Sequence, residues 1–355
     1  MPLTPEQLKR LQNANYKVIG KNKHSAVKLC HYTKASVKTG EEKTCYKQKF
    51  YGIRSHRCVQ FTPTLTTCNL RCSYCWRDFR YFKDSEKDLI DDPKDLVREA
   101  IEAQKKLLTG LGGVAHSKKH LKEAMEPAHV AISLDGEPTT YPYLQHMIEE
   151  FHAHGMTTFL VTNGTYPDRL EKMKPLPTQL YVSLSANSEE MFVKTQHPTQ
   201  GKIMWQKILR TIEILPSLET RKVIRLTMVK GLNMEAPEKY AELIKIAQPH
   251  FIEVKGWSAI GQSRERMPVT RMPTYQEVLD FCKELEKFLP DYKFTDSQED
   301  ARVGLLINQK IPAPPLYGEK NISKLKIEKV QHKKASEENF SENEEKFVGI
   351  PIVAR

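Results

Sequence analysis

From residue 59 onward the chain alternates between two hydrophobic patterns. Short apolar runs occupy 59–65, 129–134, 158–162, 179–185, 223–229 and 251–256, each the length of one buried strand. The stretches that follow carry apolar residues three and four apart, as in 143–154, 204–215 (Trp205, Ile208, Leu209, Ile212) and 237–248. Two helix starts are marked by their caps. Asp92-Pro93 sets an aspartate before a first-turn proline and opens a stripe of Leu96, Ala100, Ile101, Leu107 and Leu108. Thr274-x-x-Glu277 is a capping box for a helix running to Phe288, and 302–307 reads as a last strand. Strand–helix repeats of this kind predict an α/β fold with a parallel sheet and right-handed crossovers, here a partial (β/α)6 TIM-like barrel.

The flanks lack this rhythm. Residues 4–14 predict a short helix capped by Thr4, with Leu8 and Leu11 on one side. Residues 16–58 show no sustained period and contain Cys30, Cys45 and Cys58, so three thiolates on one centre are expected to hold them in shape. Residues 109–128 form a polar, basic excursion. After Ile311-Pro-Ala-Pro-Pro315, residues 316–349 are charged and poor in aromatics. Three regions follow: an irregular cysteine-bearing segment 1–58, the partial barrel 59–307, and a polar extension 308–355.

Charge changes the picture at the N-terminus. Residues 1–75 hold fourteen Lys and Arg against Glu6, Glu41 and Glu42, which equals the +11 of all 355 residues, so the remainder is neutral in sum. A basic block of this kind suits a polyanion such as nucleic acid. No apolar run is long enough for a membrane span, and Met1-Pro-Leu-Thr-Pro5 lacks the order of a secretory signal. The chain therefore reads as a cytoplasmic protein without membrane contact. Seven cysteines, an odd count in a reducing compartment, point to metal binding rather than disulfides.

Cys68-Asn-Leu-Arg-Cys-Ser-Tyr-Cys-Trp-Arg77 carries the sharpest signal. Its C-x3-C-x2-C thiolates select zinc, copper(I) or an iron–sulfur cluster, and three ligands leave one coordination position open. This loop lies just beyond the first strand. Asp135-Gly-Glu-Pro138 follows the second, Thr162-Asn-Gly164 the third, Ser183 and Ser185 end the fourth, Lys230-Gly-Leu-Asn233 follows the fifth, and Lys255-Gly-Trp257 closes the sixth. All fall on the C-terminal rim, where barrel enzymes place their working residues.

The cysteine spacing, with an aromatic before the third cysteine, resembles the radical S-adenosylmethionine superfamily. With Leu134-Asp-Gly-Glu-Pro138, Leu160-Val-Thr-Asn-Gly164, Leu180-Tyr-Val-Ser-Leu184, Arg225-Leu-Thr-Met-Val-Lys-Gly-Leu-Asn233 and Ile252-Glu-Val-Lys-Gly-Trp257, the chain is similar to the tRNA 4-demethylwyosine synthase family from about Cys30 to Leu306. The resemblance implies a lyase with two [4Fe–4S] clusters and S-adenosyl-L-methionine. It would act on N1-methylguanosine at position 37 of tRNA-Phe, with pyruvate as two-carbon donor. Cys68, Cys72 and Cys75 would hold the cluster that cleaves S-adenosylmethionine, and Cys30, Cys45 and Cys58 the auxiliary one. Gly136, Glu137, Asn163, Ser183, Ser185 and Asn233 would line the cofactor site. Lys47, or else Lys34, would form a Schiff base with pyruvate. The family's separate flavodoxin-like domain is not expected here, so a flavodoxin- or ferredoxin-type donor would supply electrons to a monomer.

Ser185 departs from the family, which usually has aspartate there; serine hydrogen-bonds a ribose without offering a charge. Tyr46, Phe50, Tyr51, Trp76 and Trp257 are candidates for stacking on a splayed base. Cys282 shares helical spacing with Val278, Phe281 and Leu285 and reads as a core thiol. Two other readings remain open: a two-cluster radical enzyme acting on a small molecule, and a non-enzymatic zinc or iron–sulfur protein that binds nucleic acid, with a histidine such as His31 as fourth ligand.

Overall fold

The computed structural model describes residues 3–83 and 90–316. The chain opens with a capped helix, Pro5–Asn13, then the short strands β1 (Lys17–Ile19) and β2 (Ser25–Val27). Six parallel strands follow, namely β3 (Cys58–Thr62), β4 (His129–Ile132), β5 (Thr157–Thr162), β6 (Gln179–Ser183), β7 (Arg221–Met228) and β8 (Phe251–Gly256). They lie side by side in chain order. A final hairpin, β9 (Tyr292–Gln298) and β10 (Val303–Asn308), adds antiparallel through β10 to β8. The ends of this sheet, β1 and β9, do not pair, so the barrel is open. β3 stops at Thr62 because Pro63 has no N–H to continue the ladder.

Side chains alternate across the sheet. Leu180 and Val182, Ile224 and Leu226, and Ile252 and Val254 pack outward into the main core with helices such as Pro93–Thr109 and Leu144–Ala153. Phe159, Tyr181, Val223 and Phe251 point the other way, into a second cluster inside the curved sheet. The same parity turns Arg225, Glu253 and Lys255 inward. Helix Pro93–Thr109 starts as its sequence predicts: Asp92 accepts from Lys94 N at 2.8 Å, and Leu96, Val97, Ala100 and Leu108 are buried. Thr274 and Glu277 likewise form a reciprocal capping box.

Residues 16–58 are more regular than their pattern implies, containing helices His31–Thr39 and Tyr46–Tyr51 as well as β1 and β2. Partners elsewhere order them. Asp91 accepts from Asn22 Nδ2 at 2.8 Å, Glu99 from Gly20 N at 2.8 Å, and Lys49 pairs with Asp296 at 2.7 Å. The excursion holds a helix, Lys118–Ala124, capped by Ser117. Ala313 and Leu316 pack against the inner cluster, and Arg221 Nη1 donates to Pro314 O at 2.5 Å, so the start of the polar extension is folded onto the barrel. Residues 317–355 lie outside the described residues. No helix among the described residues is long and apolar enough to cross a membrane.

Candidate active site

The parallel strands end on one rim, and the backbone of the Cys68–Cys75 loop is tied down around it. Cys68 N donates to Lys83 O at 2.8 Å, while Arg71 N and Ser73 N donate to Gln196 O and Thr195 O, each at 2.9 Å. Two guanidinium groups satisfy the loop's carbonyls: Arg71 reaches Cys68 O and Phe82 O, and Arg266 reaches Ser73 O and Cys75 O. The three side chains are half-buried. Burial pushes each thiol up, Cys72 to about 12; neighbouring thiols add to the rise at Cys68 and Cys72, and Asp135 adds to it at Cys75. Such a trio ionises readily only with a cation among the sulfurs.

Three thiolates from one short loop are the ligand set of a soft metal centre and leave one coordination position open. Among the described residues, the one trio of metal-binding side chains with donor atoms within 4.8 Å of each other is His56, His120 and Glu123.

Gly136 and Glu137 bind the second loop to this one. Gly136 has φ +66°, and an added Cβ would fall on the carbonyl oxygens of Thr64 and Thr67. Glu137 N donates to Thr67 O at 2.7 Å. Its carboxylate, 2% exposed, accepts from Thr139 N and Oγ1, from Thr162 Oγ1 at 2.6 Å and from Asn163 N at 2.7 Å. Asn163 Nδ2 donates to Asn69 Oδ1 at 2.9 Å, inside the cysteine loop. These residues form one rigid rim.

The fourth and fifth loops are more deeply seated. Ser183 is half-buried at the end of β6. Ser185 is 1% exposed, with Oγ accepting from Thr227 N at 3.2 Å. Asn233 is fully buried: its Oδ1 accepts from Val229 N, and its Nδ2 donates to Ser185 O and Thr227 O, each at 2.8 Å. Asn233 thus shapes the loop carrying Ser185 and presents no free amide group. Of the aromatic candidates, Tyr46, Tyr51 and Trp257 are buried, leaving Phe50 and Trp76 partly exposed. Trp76 lies under the Arg77 guanidinium at 3.4 Å, beside a cavity of about 460 Å³ that Lys28, Asp135 and Gly261 also line.

Inside the barrel the sheet and the N-terminal segment build a chamber. Lys47 enters from helix Tyr46–Tyr51, is 8% exposed, and holds its amine 4.5 Å from the Tyr181 ring centre and 4.9 Å from that of Phe159. Burial, then the Arg225 charge, lowers its pKa below the ordinary lysine value; Glu253, Cys45 and Cys58 oppose the fall. Arg225 and Glu253 pair at 2.6 Å, Tyr46 Oη accepts from Arg225 at 2.5 Å, and Tyr51 donates to Glu253 at 2.7 Å. Burial and Arg225 also hold Lys255 down to about 8. Lys34 sits half-buried in helix His31–Thr39, outside this group of contacts.

Known proteins match this arrangement along nearly the whole chain. The Radical SAM superfamily matches residues 62–244, and Wyosine base formation matches 246–308. The S-adenosyl-L-methionine-dependent tRNA 4-demethylwyosine synthase of Pyrococcus abyssi is 46% identical over 318 residues, 87% of this chain and 91% of that one. The chain belongs to the tRNA 4-demethylwyosine synthase family. The synthase of Methanocaldococcus jannaschii is 40% identical over 86% of this chain and 97% of its own length. A solved structure of TYW1 with a lysine-pyruvate adduct bound superposes with TM-score 0.80 at 36% identity, covering 89% of this chain and 99% of that one. The chain is therefore a radical S-adenosylmethionine enzyme of wyosine-base formation, and its superfamily implies S-adenosylmethionine and a [4Fe–4S] cluster. The zinc and small-molecule readings are not favoured. What sequence reading missed is the inward set of Arg225, Glu253 and Lys255. The parity of β7 and β8 already marked these charges as facing the same way as Tyr181 and Phe251.

Proposed function

We propose that this synthase joins a two-carbon unit of pyruvate to N1-methylguanosine at position 37 of tRNA-Phe, using Lys47 to hold pyruvate beside a second [4Fe–4S] cluster. Cys68, Cys72 and Cys75 would hold the first cluster, with S-adenosylmethionine against the Gly136–Glu137 turn. When bound, cluster and S-adenosylmethionine together supply a 5′-deoxyadenosyl radical. Cys30, Cys45 and Cys58 would hold the second cluster. In support, Cys30 and Cys45 act on the Cys58 thiol, which burial pushes to about 12, and the Lys47 amine opposes that rise.

The observation that carries this reading is the setting of the Lys47 amine among aromatic faces, beside two of those thiols and the Arg225 charge. Burial favours the neutral amine, which can add to the keto carbon of pyruvate and expel water to form a Schiff base. Arg225, held by Glu253, places a cation where the pyruvate carboxylate can pair with it. These surroundings favour Lys47 over Lys34 for the adduct. Electrons would come from a separate flavodoxin- or ferredoxin-type donor to a monomeric enzyme. The basic residues before Cys75 would grip the anticodon stem–loop by its phosphates.

Trapping tests the assignment. Incubation with labelled pyruvate and cyanoborohydride, followed by peptide mass spectrometry, is expected to place a reduced adduct on Lys47. Lys47→Arg should abolish both adduct and tRNA product while iron content is kept. Label on Lys34 or Lys255 instead would refute the assignment.

A further inference from the structure

We propose that His56, His120 and Glu123 form a zinc-type divalent metal site, with the exposed Glu41 closing in beside His120 as fourth ligand, that clamps the cysteine-bearing N-terminal segment to helix Lys118–Ala124. Five observations lead there. The donor atoms of His56, His120 and Glu123 lie within 4.8 Å of one another, the span a single ion bridges. His56 Nε2 is 2.7 Å from Glu123 Oε2, and the two imidazole rings are 4.3 Å apart between centres. His120 Nδ1 faces Ser36 O at 3.2 Å; a carbonyl only accepts, so Nδ1 carries a proton. Its Nε2 lies 3.0 Å from Glu41 Oε1, a pair that requires a cation or a proton between them. His56 is 2% exposed, and its Nδ1 has no partner among the described residues.

The surroundings resemble those of a metal site. A backbone carbonyl fixing the remote imidazole nitrogen is the usual second layer of a histidine ligand. Gln48 Nε2 holds the other oxygen of Glu41 at 2.7 Å, and Arg54 stands 3.6 Å from Glu123 as the half-exposed group that would give way. Two neutral imidazoles and two carboxylates balance a divalent charge, and imidazole nitrogen selects transition ions over magnesium or calcium. Glu41, largely exposed, provides the way in. His56 is two residues before Cys58 and Glu41 is four before Cys45, so the ion would fix the chain on both sides of Cys45.

The test uses the full chain, purified anaerobically with its iron loaded, so that the cysteines are occupied. After dialysis against zinc, the wild type is expected to retain about one zinc per chain by plasma mass spectrometry. Glu123→Gln and Glu41→Gln, conservative changes on the solvent side, should each retain zinc at least about tenfold more weakly with unchanged iron. Chelation should lower the melting temperature of the wild type and not of the Glu123→Gln protein. Cobalt in place of zinc should give visible ligand-field bands without thiolate charge transfer. Wild type that retains no zinc, variants that retain as much as wild type, or a thiolate band with cobalt would each overturn the proposal; the first outcome leaves a protonated histidine–glutamate cluster.

Discussion

Replacing Glu253 by glutamine isolates the charge of one carboxylate inside the barrel. Glu253 is fully buried and bonded to Arg225 through Nε at 2.9 Å and Nη2 at 2.6 Å. Glutamine keeps an acceptor for the Tyr51 hydroxyl, so the main loss is the negative charge. Arg225, itself mostly buried, then stands as an uncompensated cation, a situation that costs about 3–5 kcal/mol. For a domain of this size the melting temperature should fall by roughly 6–15 °C. Anaerobic thermal denaturation followed by circular dichroism reads this directly. A second change checks the cause: Arg225→Met in the Glu253→Gln background should recover much of the loss, because a neutral pair leaves no charge stranded. The same substitution removes the anion that supports the Lys47 ammonium, so the pyruvate-adduct profile should move to lower pH. An unchanged melting temperature in Glu253→Gln, or a double variant worse than the single one, would refute this account of the chamber.

Three further outcomes are expected. Gly136→Ala forces an L-residue to φ +66° against two carbonyl oxygens, so S-adenosylmethionine binding by equilibrium dialysis should weaken at least about tenfold, with a stability loss of about 1–2 kcal/mol or more. His250 accepts from Lys222 N at 2.9 Å through Nδ1, and burial holds its pKa down to about 4. The unfolded chain therefore binds a proton that the folded one refuses between pH 6.5 and 4, and stability falls as pH falls across that window. His250→Asn should remove up to about 2 kcal/mol of that acid loss in urea titrations at pH 7 and pH 5. Cys282→Ala should leave iron content unchanged, since Cys282 is fully buried among apolar side chains of helix Tyr275–Lys287 and against Gly304.

Much of the barrel was legible because its cause is local. The apolar runs became β3 to β8, and Asp92 and Thr274 cap the helices their spacing predicts. The rim was legible for the same reason, each motif following its own strand. The N-terminal segment was not: β1, β2 and their neighbouring helices depend on Asp91, Glu99 and Asp296, whose positions no local pattern reveals. β9 escaped because it is an edge strand with Lys293, Thr295 and Asp296 in it, polar enough to read as loop. Residue type also misled on depth. Asn233 and Ser185 have the chemistry of ligand contacts, yet their polar atoms are engaged by Val229 N, Thr227 N and Thr227 O. Burial of this kind is a property of packing and leaves no mark in a motif.

The contacts that hold helix Tyr46–Tyr51 also dictate an order of assembly during synthesis. Tyr46 waits for Arg225, Tyr51 for Glu253, Lys49 for Ser297 and Thr44 for Gln298, partners 179 to 254 residues downstream. The Cys68 loop needs Lys83 and Gln196, with Arg266 arriving soon after. As the chain leaves the ribosome, the first cysteine trio can settle while β9 is still untranslated. The earlier trio in sequence becomes the later one in structure, so Cys30, Cys45 and Cys58 stay open to solvent until the final hairpin closes.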